Sequence, residues 1–205
     1  MLRKRFFFII SIIFWLLMAI GFSDNWLFDV GQKSNSQPKF LIHAFFAFSW
    51  FTLLVIQSGL IRKKNYKLHF KLGLIGIVIY YLMTITIWNI YYENFTVKYD
   101  WLKLVKPLEI FSIALVTIAF INRKKNSQKH KEYLAFGTFC LIGPALDRTV
   151  FHLFGPELMI WPMIILFWLL FSLFIWYNKG ITWYMILWII FWVYSLYPLL
   201  SRLLG

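Results

Sequence analysis

The sequence predicts an all-α membrane protein of about seven transmembrane helices, with a polar core in a four-helix bundle formed by helices two to five. Three observations carry this. Hydrophobic residues make up 61% of the 205 residues and charged residues only 14%, whereas a soluble domain is about 45–50% apolar and about 25% charged. A small globule buries only about 70% of its unfolded surface, so a water-soluble fold of this size cannot hide so much apolar side chain. The apolar residues fall into seven stretches long enough for a bilayer core about 30 Å thick. The basic residues collect on alternate junctions between those stretches.

The first stretch, about Phe6–Phe22, follows Arg3, Lys4 and Arg5. With Ala19-Ile20-Gly21 it imitates a secretory signal, but its length and bulk favour an uncleaved span. A polar loop, Ser23–Lys39, leads into the second stretch, Phe40–Ile61, and a basic turn leads into the third, Leu68–Tyr92. A short loop, Glu93–Asp100, holds Asn94-Phe95-Thr96, which matches a glycosylation acceptor. The fourth stretch is Trp101–Ile121 and the fifth Tyr133–Phe154, where Gly143-Pro144 predicts a break. The sixth and seventh, Leu158–Tyr177 and Ile181–Leu200, carry almost no ionisable residue. Their tryptophans (Trp161, Trp168, Trp176, Trp183, Trp188 and Trp192) read as interfacial anchors on a lipid-facing scaffold. Barrel strands would instead alternate in segments of about ten residues.

Charge sets the orientation. Arg3–Arg5, Arg62–Lys71, Arg123–Lys131 and Lys179 place most of the 21 basic residues on one face. Lys33, Lys39, Lys98, Lys103, Lys106 and Arg202 fall on the other. The positive-inside rule then puts the N-terminus in the cytoplasm and the C-terminus outside a cell inner (plasma) membrane. The net charge of +13 is thus a topology and headgroup signal, not a nucleic-acid footprint. The single cysteine, Cys140, has no intrachain partner, and zinc spacing, a P-loop, GxSxG and HExxH are all absent from the sequence.

The topology sorts the four histidines. His69 and His130 sit at the cytoplasmic starts of helices three and five, His43 and His152 near the outer ends of helices two and five. Ala47 follows His43 by four residues and Gly73 follows His69 by four, so each small residue shares its histidine's face. A flat macrocycle beside an axial histidine needs such a gap. The inner pair also reads as a basic rim meeting lipid phosphates.

Deeper charges are costly in a membrane and usually pair. Glu109 lies about 8 residues, or about 12 Å, into helix four. Asp147 and Arg148 lie about 6 residues inside the outer end of helix five, about 9 Å by the same rise. A Glu109–Arg148 contact is therefore predicted, with Asp147 or Lys106 as the competing partner and Asn89 completing an outer polar pocket. A salt bridge locking helices four and five is the structural alternative. Gln57 is expected to hydrogen-bond a neighbouring helix, and Thr84 and Thr86 to return their hydroxyls to the backbone.

These residues also carry a resemblance. His43-Ala44-Phe45-Phe46, Trp50, Gln57-Ser58-Gly59-Leu60 and Leu68-His69-Phe70-Lys71-Leu72-Gly73 stand in that order. His130-Lys131-Glu132-Tyr133-Leu134, Gly143-Pro144-Ala145 and Arg148 follow. Together they resemble a widespread group of uncharacterised bacterial multi-pass membrane proteins with H…W…Q, LHxxLG and HKxxL…GPAxxR motifs. The resemblance covers about residues 20–155 and does not extend to helices six and seven. It supplies no activity, but its histidines are remotely similar to those of diheme cytochromes b. That similarity implies His69 with His130 at an inner haem b and His43 with His152 at an outer one. It departs from the cytochrome pattern in placing His130 and His152 on one helix.

The resulting expectation is a haem b-binding transmembrane electron-transfer protein, with Glu109, Asp147 and Arg148 serving propionates or the protons of a quinone or redox partner. The alternative is a non-redox membrane protein, transporter-like or an assembly factor, with an intramembrane polar pocket around Glu109 and Arg148. A lipid- or isoprenoid-acting enzyme trails both, for want of a histidine cluster or a suitable acidic pair.

Overall fold

A computed structural model describes the backbone of residues 2–28, 31, 36–93, 101–158 and 160–204, and the side chains of these except 2, 4, 91–93, 101–106, 156, 160 and 194–204. The described residues are mostly helical, with no strand among them. In chain order the helices are α1 (Leu2–Gly21), α2 (Ser23–Trp26), α3 (Pro38–Arg62), α4 (Tyr66–Glu93), α5 (Trp101–Asn122), α6 (Ser127–Phe139), α7 (Gly143–Leu158), α8 (Ile160–Asn178) and α9 (Trp183–Leu204). The segments Pro38–Arg62, Tyr66–Ile90 and Trp161–Asn178 are each long and apolar enough to cross a bilayer. The pair Ser127–Phe139 and Gly143–Gly155 makes a fourth such segment if taken as one bent span. Arg5–Gly21, Pro107–Asn122 and Trp183–Val193 are apolar but shorter in their described parts.

The fifth stretch is thus two helices meeting at 52°. The α-helical hydrogen bonding lapses at Leu141 and Ile142, where Leu141 N turns back to Thr138 O and Ile142 N to Phe139 O. Pro144 then opens α7, at a position where its missing N–H costs nothing. Upstream, α6 starts six residues before the expected Tyr133, because Asn126 caps it by accepting from Lys129 N at 3.0 Å. Gly155, with φ 75° and ψ 172°, interrupts the far end of α7.

Two helical hairpins pack along their lengths, α3 on α4 and α5 on α6, while α4 meets α5 only sparsely. The turn in the first hairpin is closed by Lys64 at φ 57° and by Asn65 N donating to Leu60 O. α1 is not peripheral. It packs against α3, α6 and α7 and buries Phe6, Ile10, Phe14 and Met18 at four-residue spacing. Ser11 Oγ meets Ser58 Oγ at 2.9 Å, and Trp15 Nε1 donates to Thr52 Oγ1 at 3.0 Å. Such interhelical polar contacts supply direction where apolar surface cannot. At its end Gly21 lies so close to the Ala145 carbonyl of α7 that a side chain there would collide with backbone.

α8 and α9 differ from the expected lipid-facing scaffold. Trp188 is completely buried, stacked on Phe171 at 4.8 Å and on Phe167 at 5.5 Å, with Phe136 and Phe139 of α6 beside it. Trp161, Trp176 and Trp183 remain exposed. These helices therefore present one aromatic face inward and another outward.

Candidate functional site

Residues of all three sequence motifs converge at the basic end of the α3–α4 and α5–α6 hairpins. One cavity there is lined by Trp50 and Gln57 of α3, His69, Gly73 and Gly76 of α4, Phe120 of α5, the turn residue Arg123, and His130 of α6. Local structure explains both histidines. Asn65 accepts from Leu68 N and Asn126 from Lys129 N, so each helix begins on a capping asparagine. His69 and His130 each follow their cap by four residues and donate their backbone N–H to its carbonyl. One helical turn past the cap, both rings face the seam between the hairpins.

The rings are held differently. His130 Nδ1 lies 2.9 Å from the Ala119 carbonyl. A carbonyl only accepts, so this nitrogen carries the proton and Nε2 keeps its lone pair. That arrangement orients an imidazole for a ligand at Nε2. His69 Nδ1 is buried without a hydrogen-bond partner, and so are both polar atoms of the Gln57 amide. The expected bond from Gln57 to a neighbouring helix is not made. Gly73 leaves the space beside His69 open toward Gln57, whose Nε2 would stand 3.8 Å from a Cβ at that glycine. At Gly76 the equivalent gap is filled by Leu53.

This donor set fits a bis-histidine haem in kind: two imidazoles from two helices, one already oriented, with apolar walls and a nearby guanidinium. The enclosed space is small, about 60 Å³, so a macrocycle requires the two hairpins to stand farther apart. α4 and α5 meet only sparsely, whereas α1 packs against both α3 and α6 and ties the two hairpins together. Among the described residues the side-chain hydrogen bonds between α4 and α5 are Tyr80 Oη to Ser112 Oγ at 2.7 Å and Tyr81 Oη to Thr117 Oγ1 at 2.6 Å, and such bonds contribute about 0.6 kcal/mol each in a membrane protein.

The outer histidines are given separate partners. Thr84 and Thr86 return their hydroxyl hydrogens to the backbone of α4 as expected, to Tyr81 O and to Leu82 O or Met83 O, and Thr86 Oγ1 also lies 3.1 Å from His43 Nδ1. His152 Nε2 lies 3.6 Å from Asp24 Oδ1. Arg148 turns to the same segment, donating to Asn25 Oδ1 at 2.9 Å with Asp24 Oδ1 at 3.8 Å, and its guanidinium covers the Phe22 ring. The expected Glu109–Arg148 contact is therefore not formed. The reason is topological: α7 packs on α1, so Arg148 meets the residues that follow α1 rather than α5.

Glu109 is 2% exposed, and neither carboxyl oxygen has a hydrogen-bond partner among the described residues. Its other expected partner, Lys106, has a side chain outside the described residues, as does the Asn94-Phe95-Thr96 acceptor. Asp147 is half-buried and Asn89 exposed, and neither hydrogen-bonds the Glu109 carboxyl. Three seam residues escaped sequence reasoning. Arg123 was hidden in a run of basic residues, and Tyr80 and Ser112 in apolar stretches. Only their helical spacing from Gly76 and from Glu109 signalled them.

No protein-family model matches the chain, nor does any curated protein or solved structure.

Proposed function

We propose that this chain is a multi-pass protein of the cell inner membrane, crossing it seven times with its N-terminus in the cytoplasm. Its functional site is the His69–His130 cavity, and its ligand is one haem b used for electron transfer. The carrying observation is the meeting of these two imidazoles from separate hairpins, with His130 held so that Nε2 is left for a ligand. A bound haem supplies one-electron redox chemistry whose potential follows its axial ligands and burial. His69 and His130 are the ligands in this reading, Arg123 faces carboxylates at the basic rim, and Trp50 and Phe120 keep water from the walls. The separate partners of His43 and His152 favour one haem over two.

A second reading keeps the cavity and drops the cofactor: a non-redox membrane protein whose two imidazoles and Gln57 amide hold a small polar ligand. The cavity's size favours it. An absorption spectrum of the detergent-purified protein from haem-replete cells, oxidised and then dithionite-reduced, decides between them. Sharp reduced α and β bands, lost in His69→Ala and His130→Ala, support the haem. A featureless spectrum at full haem supply rejects it in favour of the second reading.

A further inference from the structure

Glu109 stands level with the break between α6 and α7. α5 and α6 run antiparallel in a fixed register, with Ser112 Oγ donating to Gly137 O and His130 Nδ1 to Ala119 O. These pairs lie seven residues apart on both helices, so Glu109, three residues before Ser112, falls opposite Cys140. Glu109, Ser112, Val116 and Ala119 share the buried face of α5 at helical spacing. Cys140, also buried, closes α6.

Two groups of unpaired oxygens lie at this level. Both Glu109 carboxyl oxygens are buried without a hydrogen-bond partner. The hydroxyl protons one turn away are already committed: Ser112 donates to Gly137 O and therefore accepts from Tyr80 Oη. Across the break, Leu141 N bonds Thr138 O, Ile142 N bonds Phe139 O and Leu146 N bonds Ile142 O. Among the described residues, no backbone N–H reaches the carbonyls of Cys140 and Leu141. Pro144 has none to offer the first of them. Unpaired oxygens in an apolar interior are costly, and these are all acceptors of positive charge.

We propose that Glu109 and the freed carbonyls of the α6–α7 break form an intramembrane site for a monovalent alkali cation. The donors are all oxygen, which hard cations prefer. One carboxylate balances one positive charge, so a monovalent ion leaves the buried site neutral and a divalent ion does not. The C-terminal end of α6 adds the negative end of its dipole. Interrupted helices in membrane transporters coordinate sodium through unwound carbonyls in the same way. The break is ten residues of chain, about 15 Å, from His130. The site therefore depends neither on the haem nor on the histidine cavity.

The experiment is equilibrium binding of sodium-22, and of rubidium-86 as the tracer for a larger ion, to the purified full chain in detergent. Choline chloride holds the ionic strength constant. Saturable binding of a single ion per chain is expected for at least one tracer. Glu109→Gln, neutral and of similar shape, should weaken it about tenfold or more, at least about 1.4 kcal/mol. Glu109→Asp keeps the charge and should retain measurable binding, which separates loss of the site from loss of fold. Circular dichroism melting should show the same dependence, the bound ion raising the melting temperature of wild type but not of Glu109→Gln. Absence of saturable binding for both tracers, or a Glu109→Gln chain that binds as wild type does, overturns the site. The haem spectrum is read separately, so a failure of either reading leaves the other standing.

Discussion

Ser112 of α5 donates its hydroxyl hydrogen to the Gly137 carbonyl of α6 across 2.6 Å. That carbonyl belongs to the last turn of α6, where Leu141 N bonds Thr138 O instead, so Ser112 satisfies a group that the helix itself leaves free. The contact needs a glycine. A Cβ on residue 137 would stand 2.9 Å from Val116 Cγ2 and 3.3 Å from Ser112 O. Gly137→Ala should destabilise the detergent-solubilised protein by about 1–3 kcal/mol, the range for overpacking. Ser112→Ala should cost less, about 1 kcal/mol. Thermal unfolding followed by circular dichroism checks the order; equal effects would mean that α5 and α6 are not pressed together at this point.

Gly21 and Thr149 seal α1 onto α7. Thr149 Oγ1 donates at this contact, with Leu17 O and Ala145 O each 2.8 Å away, and Gly21 abuts the Ala145 carbonyl. Backbone cannot yield as a side-chain end can, so Gly21→Ala should lower thermal stability more than Ala19→Gly on the same helix. A cross-link between α1 and α7, formed through introduced cysteines in a Cys140→Ala background, should form less efficiently in Gly21→Ala.

The two pairs of histidines should separate functionally. Under the proposed haem reading, His43→Ala and His152→Ala should leave haem stoichiometry at the wild-type level, because each ring has its own structural partner away from the cavity. His69→Ala and His130→Ala should each abolish it. Pyridine haemochrome analysis of equal amounts of folded protein measures this. Full loss in His43→Ala would move the site to the other end of the bundle.

Trp188 and Trp176 offer a test of which aromatic residues form the core. Trp188→Ala removes a fully buried ring from among Phe167, Phe171, Phe136 and Phe139 and should cost about 3–5 kcal/mol. Trp176, 51% exposed, should tolerate replacement by Phe or Leu with little change in melting temperature. Comparable losses from both would place α9 elsewhere.

Arg148 and Asp24 make a weaker contact. The arginine side chain is 39% exposed and the pair stands at 3.8 Å, a geometry worth about 0–1 kcal/mol. Arg148→Gln should therefore shift the melting temperature only slightly, and high salt should shrink the difference further. A large, salt-insensitive loss would show that Arg148 does more than hold the segment after α1.

Composition and apolar run length were enough to determine helices of membrane-spanning length, because backbone polar groups in lipid leave no other continuous structure for such stretches. The break at Gly143-Pro144 was legible for a local reason: proline cannot continue the preceding hydrogen-bond ladder. The inner site was half-legible. Capping asparagines set the phase of α4 and α6, so His69 and His130 had one natural face, but sequence does not say which faces meet. Only the tertiary structure decided that Arg148 reaches Asp24 and Asn25 and leaves Glu109 alone, because partner choice depends on which helix α7 packs against. It also decided that Trp188 is core and that Tyr80, Ser112 and Gly137 join three helices. A residue's depth follows from its position in the helix, whereas its neighbours follow from how the helices pack.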